Sequence, residues 1–153
     1  MCRRTVAAIR SGVANCVLCF GCANYCSLIE LISEISRVSA PGAHILFHIE
    51  LSNSLEFFLT RHFRADATLA STFYQGKESL WLYSRRAVRE NLIDAKLQVL
   101  HQRYFHIASA LIYRISGQPN AANIFASLDT ALNWIPGIGG LADSAIFTCV
   151  KST

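Results

Sequence analysis

Between Ser11 and Ile29 the chain carries no charged side chain, and Cys16, Cys19, Cys22 and Cys26 stand inside that run at intervals of three, three and four residues. At about 100° per residue these cysteines fall within roughly a 120° arc of one helix face. Cysteine behaves there as a small hydrophobe suited to close packing, and Val13, Val17, Leu18, Phe20 and Leu28 keep the surroundings apolar. The nineteen residues of the run would reach about 28 Å as a helix, close to the ~30 Å hydrocarbon core of a bilayer. The reading is an N-terminal apolar, Cys-rich helix that anchors the chain in a membrane, runs through Glu34 and Ser36, and stops at Pro41-Gly42. Arg3, Arg4 and Arg10 outweigh Arg37, which places the N-terminus on the cytoplasmic or matrix side. An Arg-rich, acid-free start also fits mitochondrial targeting.

Composition points the same way. Apolar residues make up 52% of the 153 and charged residues 16%, against about 25% charged in an ordinary soluble domain. Such a deficit calls for lipid contact or a permanent partner. The net charge of +4 is modest for a nucleic-acid binder, so nucleic acid is not the partner expected. The absence of any Asn-x-Ser/Thr site and the crowding of five cysteines into residues 1–26 exclude a secreted disulfide scaffold. The chain divides into residues 1–40, a basic flank plus the anchor or targeting segment, and residues 41–153, a helical domain.

Within that domain the strongest periodicity is the stripe Ile93, Leu97, Leu100, Tyr104, Ile107 and Leu111, with Arg89, Lys96 and Arg103 opposite. It predicts a long central helix over residues 78–115, ended by Gly117 and Pro119, whose apolar stripe would bind a protein partner. Residues 44–51 alternate in strand fashion, but a single short strand lacks an evident partner, and helix is preferred. Asn53 and Glu56 form a capping pair for a short helix through Phe63. Helices from Ala121 to Trp134 and from Leu141 to Val150, joined through Pro136–Gly140, would form a C-terminal apolar hairpin. The fold class expected is therefore all-α, a small helical bundle.

The cysteine run resembles the C-x2-C-x2-C-x3-C-P run of bacterial ferredoxins in spacing, with Ser27 in place of the proline. That resemblance implies an alternative function, single-cluster electron transfer, with Cys16, Cys19, Cys22, Cys26 and Cys149 as the candidate ligands of an iron–sulfur cluster. Packing cysteines, with no cofactor, are the preferred reading. His44 and His48 share a helical face but lack the glutamate of a zinc-protease helix. Gly137-x-Gly139-x-x-Ala142 matches the dinucleotide fingerprint formally, without the strand and βαβ length it requires. Arg85, Arg86 and Arg89 are candidates for an anionic surface, either lipid or nucleic acid. No nucleophile, base and orienting acid form a pattern. The sequence reads as a small, non-catalytic, membrane-associated interaction subunit, with a basic-helix binder of nucleic acid or anionic lipid as a second alternative.

Overall fold

The computed structural model describes residues 9–52, 54–55, 67–71, 79–109, 112, 116 and 119–152. Its elements follow the order β1 (Ala14–Cys19), α1 (Leu28–Val38), β2 (Ser39–Glu50), β3 (Ala67–Ser71), β4 (Ser79–Tyr83), α2 (Arg85–Asp94), β5 (Leu97–Phe105), α3 (Pro119–Leu132) and β6 (Ser144–Lys151). The all-α expectation is thereby corrected to a mixed α/β fold.

Its centre is a four-stranded sheet in the order β1-β2-β6-β5. β1 and β2 run parallel, joined by the crossover helix α1, while β2–β6 and β6–β5 are antiparallel. The smaller pair β3–β4 is antiparallel and touches the main sheet through a bridge between Leu51 and Tyr83.

The βαβ unit follows from local chemistry. Ser27 caps α1 by accepting the Glu30 N–H at 3.4 Å. Leu28, Ile32, Ile35 and Val38 then form one buried stripe of helical period. In β2 the period changes to two: Ala43, Ile45, Phe47 and Ile49 are buried, with His44, Leu46, His48 and Glu50 on the other face. Residues 44–51 are thus strand rather than helix, because β1 and β6 supply partners on both sides. β6 adds Ala145, Phe147 and Cys149 to the same core. Lys151 fastens the two layers, since its Nζ donates to the carbonyls of Ser36 and Ser39 at the C-terminal end of α1, at 2.6 and 2.9 Å.

The expected N-terminal helix is a strand followed by a 3-10 turn at Ala23–Tyr25. A strand turns alternate side chains to opposite faces, so Cys16 and Cys19, three apart, cannot share one: Cys16 is exposed and Cys19 buried. The anchor falls with it, and with the anchor goes the ground on which a membrane localisation was expected: no helix among the described residues is long and apolar enough to cross a membrane. Residues 1–8 of the basic flank lie outside the described residues, as do most of the residues of the Asn53–Phe63 segment.

Among the described residues the expected helix over 78–115 is broken into β4, α2 and β5, with helical residues again at Ser109 and Ile112. Ser84 separates β4 from α2 by capping it, accepting the Ala87 N–H at 3.1 Å. Lys96 then takes the left-handed conformation, φ 59°, which ends α2 and starts β5. The stripe is not a face: Ile93 is 63% exposed and Leu100 53%, whereas Leu97 is buried. At the C-terminus the helix expected at Ala121–Trp134 lies at Pro119–Leu132, but Leu141–Val150 contributes to strand β6, so no helical hairpin forms.

Candidate functional site

In open α/β sheets, ligands bind beyond the carboxyl ends of the parallel strands. Here that end carries the loop from Phe20 to Ser27 after β1 and the end of β2 at His48–Glu50. The chain turns out of β1 at Gly21, whose φ of +68° is left-handed backbone suited to glycine. Phe20 then lies over the His48 ring, centroids 6.1 Å apart and planes inclined by 14°. Burial, and secondarily the charge of nearby His106, holds the His48 imidazole below its ordinary pKa.

Asn24 locks the loop. Its Nδ2 donates to the carbonyls of Glu50 at 3.1 Å and Trp81 at 2.6 Å, and its Oδ1 accepts the Glu50 N–H at 3.1 Å. One buried amide therefore ties the loop to both β2 and β4. Tyr83 adds a second tie: its hydroxyl accepts from the Leu28 N–H at 3.3 Å and donates to the Cys26 carbonyl at 3.2 Å. Between these elements opens a cleft of about 410 Å³, lined by Ser27, Leu28, Ile29, Trp81, Tyr83, Ala87 and Asn91. Phe20 and His48 do not line it. The chemistry-bearing end of the sheet and this cleft are neighbours that share the Tyr83 anchor, not one pocket.

Because β5 and β6 run antiparallel to their neighbours, the end of β5 reaches the same end of the sheet. His106, at φ 57°, places Nδ1 3.1 Å from the Ser109 hydroxyl, which donates to Asp129. Asp129 also accepts the N–H groups of Ala108 and Ser109, at 2.7 and 3.3 Å. With its proton directed to a carboxylate that caps backbone, Ser109 is held as a structural hydroxyl rather than as a nucleophile with histidine as its base.

The residues singled out from the sequence are dispersed. Cys19 and Cys22 meet, their sulfurs 2.9 Å apart, and Cys26 Sγ donates to the Cys22 carbonyl at 3.4 Å. Cys16 points to the other sheet face. Cys149 on β6 pairs with Ile45 of β2, which pairs in turn with Val17, so Cys149 stands two strands from β1, roughly 10 Å away at the usual strand spacing. Four thiolates within a few ångströms of a common centre are not available here, and among the described residues no group of three or more His, Cys, Asp or Glu could hold a metal ion. The iron–sulfur reading is corrected accordingly. Arg85, Arg86 and Arg89 lie on α2, but Arg85 sits 5.9 Å over the Tyr104 ring and donates to its hydroxyl at 3.3 Å, while Arg86 pairs with Glu90 at 2.8 Å. Gly137–Ala142 forms a 3-10 turn leading into an antiparallel strand, and the Tyr104 ring fills the space beside Gly139. The anchors Asn24 and Tyr83 and the ring of Phe20 were missed by sequence reasoning. Their partners lie 26 to 57 residues away for the two anchors, and no local pattern marks them.

No protein-family model and no curated protein matches the chain. Solved structures do. A protein from Listeria monocytogenes described as an S-adenosylmethionine-dependent methyltransferase is similar with a TM-score of 0.61 at 10% identity, over 95% of this chain and 65% of its own. A methyltransferase of the same cofactor class from Methanosarcina mazei gives 0.57 at 12%, over 95% and 62%. The [4+2]-cyclase SpnF gives 0.53 at 14%, over 94% and 52%. The chain thus spans about half to two thirds of the length of these structures.

Two of these neighbours are named for S-adenosylmethionine, so the described residues can be compared with what that group requires. A nucleoside in this kind of sheet needs a Gly-rich turn from strand to helix for close backbone approach. The described turn after β1 holds one glycine, Gly21, between Phe20 and Cys22, and the one Gly-rich segment is occupied by Tyr104. The described residues do not by themselves build that cradle. What the chain shares with these neighbours is their α/β fold, in place of the non-catalytic helical membrane subunit that the sequence suggested.

Proposed function

We propose that the chain forms a methyltransferase-type catalytic fold acting with S-adenosylmethionine. The observation that carries this reading is the continuous path β1–α1–β2 into antiparallel β6 and β5, which aligns over 94–95% of the chain with proteins named as S-adenosylmethionine-dependent methyltransferases. A fold alone does not fix an activity, and the cyclase among the neighbours illustrates it. The position of Phe20, His48 and Glu50 at the carboxyl ends of the parallel strands supports it further.

In this reading Phe20 offers an exposed aromatic face and His48 a neutral imidazole, while Asn24 and Tyr83 keep the loop that bears Phe20 in place. Among the described residues the turn after β1 supplies one glycine, Gly21, so the binding expected of that turn is weak.

The test is titration of the isotopically labelled chain with S-adenosylhomocysteine, followed by NMR. Weak binding with shifts confined to Phe20–Cys22 and His48–Glu50, reduced in Phe20→Ala, is the expected result. An unchanged spectrum, or shifts confined to the cleft between α1 and α2, would overturn the proposal.

A further inference from the structure

Cys19 belongs to the buried core, and its sulfur meets that of Cys22 just past the end of β1. Cys19 is the last residue of β1 and 5% exposed; Cys22 lies past the turn and is exposed. Their sulfurs stand 2.9 Å apart, so closing to a bond of about 2.0 Å needs less than about 1 Å of movement. Gly21 makes that movement accessible. It supplies the left-handed residue that folds the chain back over Cys19, and the space beside its Cα is open, with nothing within 4 Å of a Cβ placed there.

We propose that Cys19 and Cys22 form an oxidisable dithiol site that closes to an intramolecular disulfide by exchange with small-molecule disulfides of the glutathione class. The exposed Cys22 thiolate attacks one sulfur of the reagent, the reagent's S–S bond breaks, and one glutathione thiolate leaves. Cys19 then loses its proton to solvent and attacks the Cys22 sulfur, expelling the second glutathione thiolate. Two protein thiols are oxidised, one reagent disulfide is reduced, and the released thiolates take up the protons according to their pKa. Burial, reinforced by the hydrogen bond with Cys22, keeps the Cys19 thiol protonated well above the ordinary range, so the second step is the slower one and the adduct on Cys22 is transiently visible.

The other described cysteines are placed differently. Cys149 is wholly buried in the core, with its thiol pushed up to about 12 by that burial. Cys16 is exposed on the opposite sheet face, where it can take an adduct that Cys19 cannot resolve. Cys26 contacts the Cys22 carbonyl, so it is the competitor to test. Closure would fix the Cys19–Cys22 turn and with it the seat of Phe20 on His48. This inference stands apart from methyl transfer.

The experiment treats the full, reduced chain with oxidised glutathione, traps remaining thiols with an alkylating reagent and maps the peptides by mass. The expected product carries a Cys19–Cys22 disulfide that dithiothreitol reopens, unchanged in Cys26→Ser. In Cys19→Ser the glutathione stays on Cys22. A stable adduct on wild-type Cys22, a Cys22–Cys26 bond in its place, or full alkylation of both thiols after oxidation would overturn the proposal. Should Cys19→Ser fail to fold, the wild-type and Cys26→Ser maps decide alone.

Discussion

Asn24 donates to the Trp81 carbonyl at 2.6 Å across 57 residues of sequence, and the same side chain pairs with both backbone groups of Glu50. It is 3% exposed. Asn24→Ala would leave the Glu50 N–H and the Trp81 carbonyl without this partner in a buried place, and is expected to cost about 2–3 kcal/mol. Asn24→Asp is expected to be worse at neutral pH, because a carboxylate would face two carbonyl oxygens. Denaturant unfolding of both variants beside the parent measures this.

Lys151 Nζ donates to carbonyls at the C-terminal end of α1, the end of a helix where a cation is favoured. Lys151→Met keeps most of the apolar stem and removes the charge. A loss of about 1–2 kcal/mol is expected, together with faster amide exchange in the last turn of α1. An unchanged unfolding midpoint would show that the two carbonyls are equally well served by water.

Gly139 is buried, and a Cβ there would overlap the ring of Tyr104, whose hydroxyl is held by Arg85 at 3.3 Å and Gln102 at 2.7 Å. Gly139→Ala is expected to destabilise by about 1–3 kcal/mol through this collision. In a Tyr104→Ala background the same change should cost less. Equal costs in the two backgrounds would refute the contact as the cause.

His48 titrates below its ordinary 6.5 because of burial and then His106. The unfolded chain therefore takes up the proton first as pH falls. The stability associated with neutral His48 is complete above about pH 6.5 and is lost as pH drops through the interval between the unfolded and folded values. His48→Gln is expected to flatten the stability–pH curve in that interval, measured by urea unfolding between about pH 8 and about pH 5.

Parts of this architecture are written locally. The stripe Leu28, Ile32, Ile35 and Val38 and the alternation of Ile45, Phe47 and Ile49 can be read from the residues alone. The strands that accept β2 were harder to see. In β1 the cysteine spacing imitates a helix face, and its alternation is too short to contradict that. In β6, Ala145, Phe147 and Cys149 alternate, but the neighbouring Ile146 and Val150 are apolar too, and a continuous apolar run does not distinguish strand from helix. Lys96 gives no sign that it will adopt positive φ, so the 4-3-4-3-4 spacing runs unbroken through the end of α2. For the site, Cys19, Cys22 and His48 drew notice by residue type, under a metal-binding reading. Asn24 and Tyr83 did not, because their roles exist only once the sheet has brought distant backbone to them.

β1 pairs with β2 on one side, and among the described residues no strand pairs with it on the other. Leu18 and Phe20 are 66% and 51% exposed along it. In deuterated buffer its amides should gain mass before those of β2 and β6, which have partners on both flanks. The molecule would begin to come apart at the same strand that carries its most accessible sulfur chemistry.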